Sequence, residues 1–403
     1  MPFKGTCAVE ERIALFLAYD TKAYSITELC RRYGVSRETF YVWQRRREAG
    51  DARWFDELSR APKSRPQASS DEVRTAVIAM RQRFPRFGPK KVLAKLAAET
   101  PGIDWPAAST IGDMLKREGL VAARVRGRKP VDQGQIIAGA SAPNGEWAID
   151  FKGWFRTASG ARCDPLTVTD TASRMLLELR HIDMTYAAVR CALERLFDHA
   201  GLPDALRSDN GSPFGSIGPG GLSKLSVWLL RLGIDVRYIP PGAPQHNGRH
   251  ERMHKTLKAE TSAPPAATLE EQQQRFDTFR HYYNAERPHE AIGQVAPATL
   301  WHPSARRFPA VVPAPWYDAN HRIRRVRQQG TIKWLGAELF IGEALADETI
   351  GLAELECGGH LVRFCNRDLG VIDVSRRFTR FAPPRARLGR KDDAPGDSGT
   401  ISE

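Results

Sequence analysis

Residues 145–152, Gly-Glu-Trp-Ala-Ile-Asp-Phe-Lys, mark the point where the hydrophobic period of the chain changes from that of helices to that of strands. Trp147, Ile149 and Phe151 alternate with Ala148, Asp150 and Lys152, so a strand here carries an apolar row on one face and Asp150 on the other. Leu166–Thr169 and Met175–Ile182 are further strand candidates, completing a three-stranded meander. Tyr186–His199 reads as an amphipathic helix, Ala205–Ser208 as a short strand ending at Asp209, Leu222–Leu232 as a helix and Val236–Ile239 as a fifth strand. Helices from about Asn247 to Glu260 and from Leu269 to Tyr283 complete an α/β domain with mixed strand directions, placed at 145–305.

Upstream the pattern is helical. Between Glu10 and Arg47, Ile13, Leu15, Phe16, Leu29, Tyr33, Phe40 and Trp43 recur at helical spacing and predict three short helices. Ser25 and Glu28 have capping-box spacing, Gly34 marks a tight turn, and Ser36 can cap a third helix. This is helix-turn-helix punctuation over residues 1–50, and the third helix would offer Arg37, Tyr41, Gln44 and Arg45 to phosphates and base edges. A proline-rich basic linker is expected at 51–70. A second helix-turn-helix unit is expected at 71–120, with helices capped by Ser70 and Ser109 and one opened by Pro89 that carries Lys90 and Lys91. Residues 121–144 read as a flexible basic connector.

Beyond Trp316 the period returns to two, in Thr331–Leu335, Glu338–Ile341, Ile350–Leu355, His360–Phe364 and Leu369–Asp373. Five short strands predict a small β-barrel over 318–382, followed by a polar tail at 383–403 with a disordered composition.

Lysine and arginine number 60 against 47 acidic residues, a formal charge of +13 that favours a polyanionic partner, nucleic acid first. Six scattered cysteines without a CxxC pair fit a reducing cytoplasm. No apolar run reaches the roughly 18 residues that a membrane helix needs, and residues 1–10 carry no signal-peptide pattern. The expectation is a cytoplasmic protein, nucleoid-associated and without a membrane partner.

Three acidic residues stand where rigid elements can aim them: Asp150 in a strand, Asp209 at a strand end in Ser-Asp-Asn-Gly-Ser, and Glu251 in Asn-Gly-Arg-His-Glu-Arg. Carboxylates that converge repel one another unless a cation neutralises them, and such oxygen donors select Mg²⁺ or Mn²⁺. Two such ions can clamp a phosphodiester during in-line attack.

Four segments, 147–151 (Trp-Ala-Ile-Asp-Phe), 206–214 (Leu-Arg-Ser-Asp-Asn-Gly-Ser-Pro-Phe), 244–258 (Pro-Gln-His-Asn-Gly-Arg-His-Glu-Arg-Met-His-Lys-Thr-Leu-Lys) and 283–293 (Tyr-Asn-Ala-Glu-Arg-Pro-His-Glu-Ala-Ile-Gly), resemble the integrase core of bacterial insertion-sequence transposases, in the DDE superfamily with retroviral integrases. The resemblance covers nearly the whole chain. It implies a ribonuclease-H-like core, with Asp150, Asp209 and Glu251 as catalytic and metal-binding triad for two Mg²⁺ or Mn²⁺ ions. It further implies cleavage at the ends of a mobile element and strand transfer into target DNA, by a homo-oligomer on double-stranded DNA. Candidate DNA contacts in and around these motifs are Asn210, Asn247, Arg252, His254, Lys255, Lys258, Arg287 and His289. A DNA-binding regulator with an inactive core is the alternative reading.

Two departures from the pattern stand out. Asp209 and Glu251 are 42 positions apart, longer than usual, and the excess falls in 215–221, Gly-Ser-Ile-Gly-Pro-Gly-Gly. Four glycines and a proline there predict a surface insertion beside the active site whose length is tunable. In addition, no paired His and Cys ligands precede the core, so an N-terminal zinc module is not expected. A competing motif is His250-Glu-Arg-Met-His254, which matches the HExxH helix of zinc peptidases. Its glutamate already completes the acidic triad and no third zinc ligand is evident, so no zinc is expected.

Overall fold

The computed structural model describes residues 7–58, 69–121, 140–216, 218–239 and 248–381. Residues 59–68 of the expected basic linker at 51–70, most of the connector at 121–144, Asn247 and the tail at 383–403 lie outside the described residues. The chain divides into two compact units, 1–70 and 71–403.

In the first unit, helices α1 (Ala8–Asp20), α2 (Ile26–Tyr33) and α3 (Arg37–Glu48) surround Leu15, Phe16, Leu29, Cys30 and Phe40. The turn chemistry dictates their ends. Ser25 accepts the Glu28 amide at 3.3 Å, Gly34 takes a left-handed φ of 65°, and Ser36 accepts the Thr39 amide at 3.0 Å. Phe16 stacks on Phe40 at 5.0 Å, which locks α1 across α3.

The second unit opens with α4 (Asp71–Arg83), α5 (Pro89–Glu99) and α6 (Ala108–Arg117), packed around Val77, Phe84, Phe87, Val92, Leu96 and Ile111. Pro89 begins α5 as expected, but Ser109 does not cap α6. That helix starts two residues earlier, behind Pro106, with Ala107 in the capping position, and Ser109 falls within the first turn. These helices are fastened to the α/β core that follows. Tyr282 stacks near Phe84 and Phe87 at 6.1 and 6.2 Å, and Lys90 and Lys95 form ion pairs with Glu290 and Glu286.

The core is a five-stranded sheet in the order β5 (Leu176–His181), β4 (Pro165–Asp170), β1 (Trp147–Phe151), β6 (Ala205–Ser208), β7 (Asp235–Tyr238). The pairings of β1 with β4 and β4 with β5 are antiparallel, whereas those of β1 with β6 and β6 with β7 are parallel. A short hairpin of β2 (Phe155–Arg156) and β3 (Arg162–Cys163), which sequence periodicity does not show, is inserted between β1 and β4. Because β1 is central, both of its faces are covered. Trp147, Ile149, Leu166 and Val168 face α7 (Tyr186–Ala200) and α8 (Lys224–Arg231) in one apolar cluster. A second cluster joins β3 and β5 to α9 (Gly248–Thr261) and α10 (Leu269–His281) through Cys163, Leu176, Leu179, Met253, Leu257, Phe276 and Phe279. Buried Glu146 ties the sheet at the start of β1, pairing with Arg207 at 3.3 Å and Arg237 at 3.0 Å.

The C-terminal region contains seven strands where five were expected, because β8 (His321–Arg325) and β14 (Phe378–Arg380) are too polar to show an apolar alternation. An antiparallel sheet runs in the order β14, β13 (Arg367–Ile372), β12 (His360–Phe364), β11 (Thr349–Glu354), β8, beside a hairpin of β9 (Thr331–Trp334) and β10 (Ala337–Phe340). The ladders among the described residues form an open sheet, and none pairs β14 with β8 to close the expected barrel. Alternation identifies strands, whereas closure depends on register and tilt, which periodicity does not carry. Trp334, Ile350, Leu352, Phe364 and Leu369 belong to the same apolar cluster as Trp147 and Trp228 of the core. Arg367 donates to Asp235 and the Val236 carbonyl of β7, and Arg231 of α8 pairs with Glu348.

The insertion at 215–221 is not the wholly exposed surface loop expected from its glycines. Gly215 bridges to Leu222, and Pro219, Gly220 and Gly221 are buried. The loop is pressed against the C-terminal sheet: Pro219 meets Gly342, and a Cβ on Gly220 would stand 3.4 Å from Leu369. The Tyr238 hydroxyl donates to the Gly221 carbonyl at 3.0 Å. Composition suggested a loop free to change length, but tertiary contact gives these glycines a packing role. Gly220 combines this contact with a φ of +62°, so Gly220→Val is expected to lower stability by about 1–2 kcal/mol. Thermal unfolding of the full chain checks this, and an unchanged midpoint would argue against a packing role for the insertion.

Candidate active site

Asp150 lies near the C-terminal end of β1, and Asp209 directly follows β6. The parallel register pairs Trp147 with Leu206 and Ala148 with Arg207; continued two residues on, it sets Asp150 level with Asp209. Adjacent strands lie about 4.8 Å apart, so two carboxylates project from neighbouring positions at the carboxyl edge of the sheet. Asp150 is half-buried and Asp209 exposed. The Gly211 amide donates to Asp209 Oδ1 at 3.1 Å, and a Cβ at Gly211 would lie 3.3 Å from both carboxylate oxygens, so this turn leaves room for no larger residue without displacement.

Glu251 is in the first turn of α9 and is exposed. The helix is attached to the sheet by its neighbours. His250 and His254 are buried, with 3% and 7% exposure, and their rings meet edge to face at 4.6 Å. Each Nε2 lies close to the Thr167 hydroxyl, at 2.6 and 2.8 Å, and Thr167 is the ladder partner of Asp150. A carboxylate oxygen of Asp150 and one ring nitrogen from each histidine all fall within 4.8 Å of one another, which brings the first turn of α9 to Asp150.

This cluster is the residue set that the HExxH reading would need for zinc, but the position between the two Nε2 atoms is taken by the Thr167 hydroxyl. The imidazoles already have partners suited to neutral rings. Burial above all holds His250 down to about 3 and His254 to about 2, so both are uncharged at neutral pH. His254 therefore does not meet DNA phosphates as its spacing from Glu251 suggested. A helix turns 100° per residue, and the inward face here includes His250, Met253, His254 and Leu257, while Glu251, Lys255 and Lys258 remain outside. Thr167 and Thr169 were missed as site residues. The signal available was two threonines alternating with Leu166 and Val168, a polar row on the face that also bears Asp150.

The other predicted contacts separate by their surroundings. Arg37, Tyr41 and Arg45 are exposed at helical spacing on α3, whereas Gln44 donates to Glu48 at 2.7 Å. Arg252, Lys255 and Lys258 are exposed on α9. Asn210 donates to the Ile239 carbonyl at 2.7 Å and so braces the turn after Asp209. Lys90 pairs with Glu290, and Lys91 is pushed down to about 8 by burial and by Arg287 and Arg252. Arg287 pairs with Glu260 at 3.4 Å. His289 packs edge-on against Tyr283 at 4.6 Å and is held at about 3 by burial and nearby cations, so it carries no charge to offer a phosphate. Lys152, next to the site, is also lowered, first by burial and then by Lys258. No helix among the described residues is long and apolar enough to cross a membrane.

Residues 140–244 and 232–297 match two integrase core domain models, and residues 11–63 match a helix-turn-helix domain. The chain is 28% identical over 248 residues to an insertion element IS476 uncharacterized 39.2 kDa protein of Xanthomonas euvesicatoria, spanning 60% of this chain and 68% of that protein. It is 25% identical over 240 residues to an insertion element IS407 uncharacterized 31.7 kDa protein of Burkholderia multivorans, spanning 58% of this chain and 82% of that protein. A chain of the simian T-cell lymphotropic virus intasome, solved in complex with PP2A regulatory subunit B56 gamma, aligns over 77% of this chain and 100% of its own at 16% identity, with a TM-score of 0.36. An integrase core is a polynucleotidyl-transferase domain, so the protein is in general class a DDE-type enzyme. The integrase core matches, the N-terminal helix-turn-helix match and the insertion-element relatives together support a bacterial insertion-sequence transposase with an integrase-like core.

The neutral state of His289 has a measurable consequence. Its value in the fold, about 3, lies below the unfolded value near 6.5, so the unfolded chain binds the extra proton first and stability is lost as pH falls from about 6.5. Replacing His289 with Gln should lessen that loss by about 1 kcal/mol per pH unit between pH 6 and 4, measured by denaturant unfolding of both proteins. Parallel pH profiles would contradict the neutral buried state.

Proposed function

We propose that the protein binds the ends of a mobile element and catalyses metal-dependent strand cleavage there, followed by strand transfer into target DNA, as a homo-oligomer on double-stranded DNA in the bacterial cytoplasm, at the nucleoid. The observation that supports this reading most is the parallel β1–β6 register that sets Asp150 level with Asp209, with the first turn of α9, which contains Glu251, packed against Asp150. The donors suit a hard divalent cation: all are carboxylates, Asp150 and the exposed Asp209 at the edge of a rigid sheet and the exposed Glu251 on α9. Asp150, Asp209 and Glu251 would hold Mg²⁺ or Mn²⁺, two ions per site. Bound there, such ions supply charge stabilisation for a phosphodiester and lower the cost of deprotonating an attacking hydroxyl.

The remaining work falls to the chain itself. Lys255 and Lys258, on the exposed side of α9 with Glu251, hold the scissile strand through its phosphates. Arg37, Tyr41 and Arg45 on α3 meet a duplex through the helix-turn-helix unit, Arg37 and Arg45 being suited to base edges and phosphates alike. The same site serves both steps, since water and then a freed 3′-hydroxyl attack a phosphodiester in line.

Asp150→Asn, Asp209→Asn and Glu251→Gln should each reduce Mg²⁺- or Mn²⁺-dependent cleavage of element-end DNA by at least about 10³-fold while binding to the same duplex persists, because an amide retains the shape and loses the charge. Cleavage of labelled duplex and a salt-titrated shift assay measure the two properties separately. Full activity in any one variant would remove that residue from the site.

Arg37→Ala should weaken preference for element ends over random duplex by about 1–3 kcal/mol, whereas Lys258→Ala should weaken binding to both alike. Competition binding distinguishes them. An unchanged preference in the Arg37 variant would argue against base reading by α3.

A further inference from the structure

The buried pair on α9 makes a connected set of hydrogen bonds that cleavage chemistry does not use. The Thr167 hydroxyl donates its single proton to the Asp150 carbonyl at 3.0 Å. Its oxygen can then only accept from the two imidazoles, so Nε2 of His250 and Nε2 of His254 are both N–H donors, at 2.6 and 2.8 Å. His250 Nδ1 is then an acceptor, and the Thr169 hydroxyl donates to it at 3.1 Å. One hydroxyl thus joins the strand of the first carboxylate to the helix of the third.

We propose that Thr167, His250 and His254 form a hydroxyl-centred clasp that fixes the roll of α9 and so positions Glu251 against Asp150. This inference rests on the reading of Asp150, Asp209 and Glu251 as the metal-holding carboxylates. Histidines four residues apart lie on one helix face, and holding both at a single point fixes rotation as well as height. Glu251 directly follows the first of them. A roll of about 20° would move a carboxylate at about 6 Å from the helix axis by roughly 2 Å. Misplacement of about 1 Å at a reacting centre can cost 10²-fold in rate. The three residues are therefore positioning residues, acting through Asp150 and Glu251 without touching DNA.

The test uses the full chain and four variants. Thr167→Val preserves the shape but removes the hydroxyl, and Thr167→Ser restores it; His254→Leu removes one donor, and His254→Gln returns an N–H at similar reach. Mn²⁺ binding is followed by the paramagnetic resonance of the free ion, alongside kcat and KM for element-end DNA and thermal unfolding. Thr167→Val is expected to fold, to bind Mn²⁺ at least tenfold more weakly and to lower kcat about 10²-fold, with KM for DNA unchanged and recovery in Thr167→Ser. If Thr167→Val does not fold, the His254 pair gives the same reading. Wild-type Mn²⁺ affinity and kcat in a folded Thr167→Val or His254→Leu protein would overturn the clasp, as would stoichiometric zinc held by the two histidines. Asp209→Asn, outside the clasp, separates the two readings. If it leaves Mn²⁺ binding unchanged, the carboxylate reading fails; if it abolishes binding while the clasp variants bind normally, the clasp alone fails.

Discussion

Parallel pairing between β1 and β6 is the constraint from which the rest of the core follows. A parallel neighbour cannot be reached by a tight turn, so the chain must leave β1, make the antiparallel excursion through β4 and β5, cross over by α7 and return beside its starting strand. That route puts the carboxyl ends of β1 and β6 together. It also buries β1 on both faces, which explains why Trp147, Ala148 and Ile149 are all inaccessible although only alternate residues of the stretch are strongly apolar. An aspartate at such an edge is held by main chain that cannot shift without breaking the sheet.

Electrostatics organises what lies around that edge. The chain carries a large positive charge, yet much of it is spent internally: Arg367 on Asp235, Arg231 on Glu348, Lys95 on Glu286, Arg207 and Arg237 on Glu146. Cations left exposed on α3 and α9 are therefore a small subset of the total. Close to Asp150 the polar groups are neutral instead, two imidazoles and two hydroxyls whose donors and acceptors match. Burying neutral, mutually satisfied groups costs far less than burying ions, and it leaves the negative charge of the site to the carboxylates.

The regions on either side of the core are attached to it by unlike means. Helices α4–α6 dock through aromatic stacking at Tyr282 with a rim of lysine–glutamate pairs. The C-terminal sheet shares a continuous apolar cluster with α8 and β7, and the glycine-rich insertion after Asp209 is pressed between them. An insertion in the loop that follows Asp209 is thereby in contact with a part of the chain distant in sequence. The left-handed φ of +62° at Gly220 favours a residue without a side chain, so the same glycines that suggest looseness in the sequence shape a buried turn in the fold.

By itself the sequence determined the local elements and the chemical cast. Alternation in 147–151 and 166–169 marked the strands, Ser25, Gly34 and Ser36 marked the ends of the helix-turn-helix, and three acidic motifs stood out against their surroundings, because caps, turns and strand periods are short-range properties of side chains and backbone. The strands β8 and β14 and the two-residue strands of the β2–β3 hairpin were not legible because they show no apolar alternation, and the start of α6 was missed because Ala107 in its capping position carries no polar side chain. Only tertiary structure decided which way the HExxH helix faces. Spacing put His254, Lys255 and Lys258 near Glu251 alike, but the sheet offers threonine hydroxyls to one side of α9, and the desolvation of an imidazole is compensated there while that of an ammonium would not be.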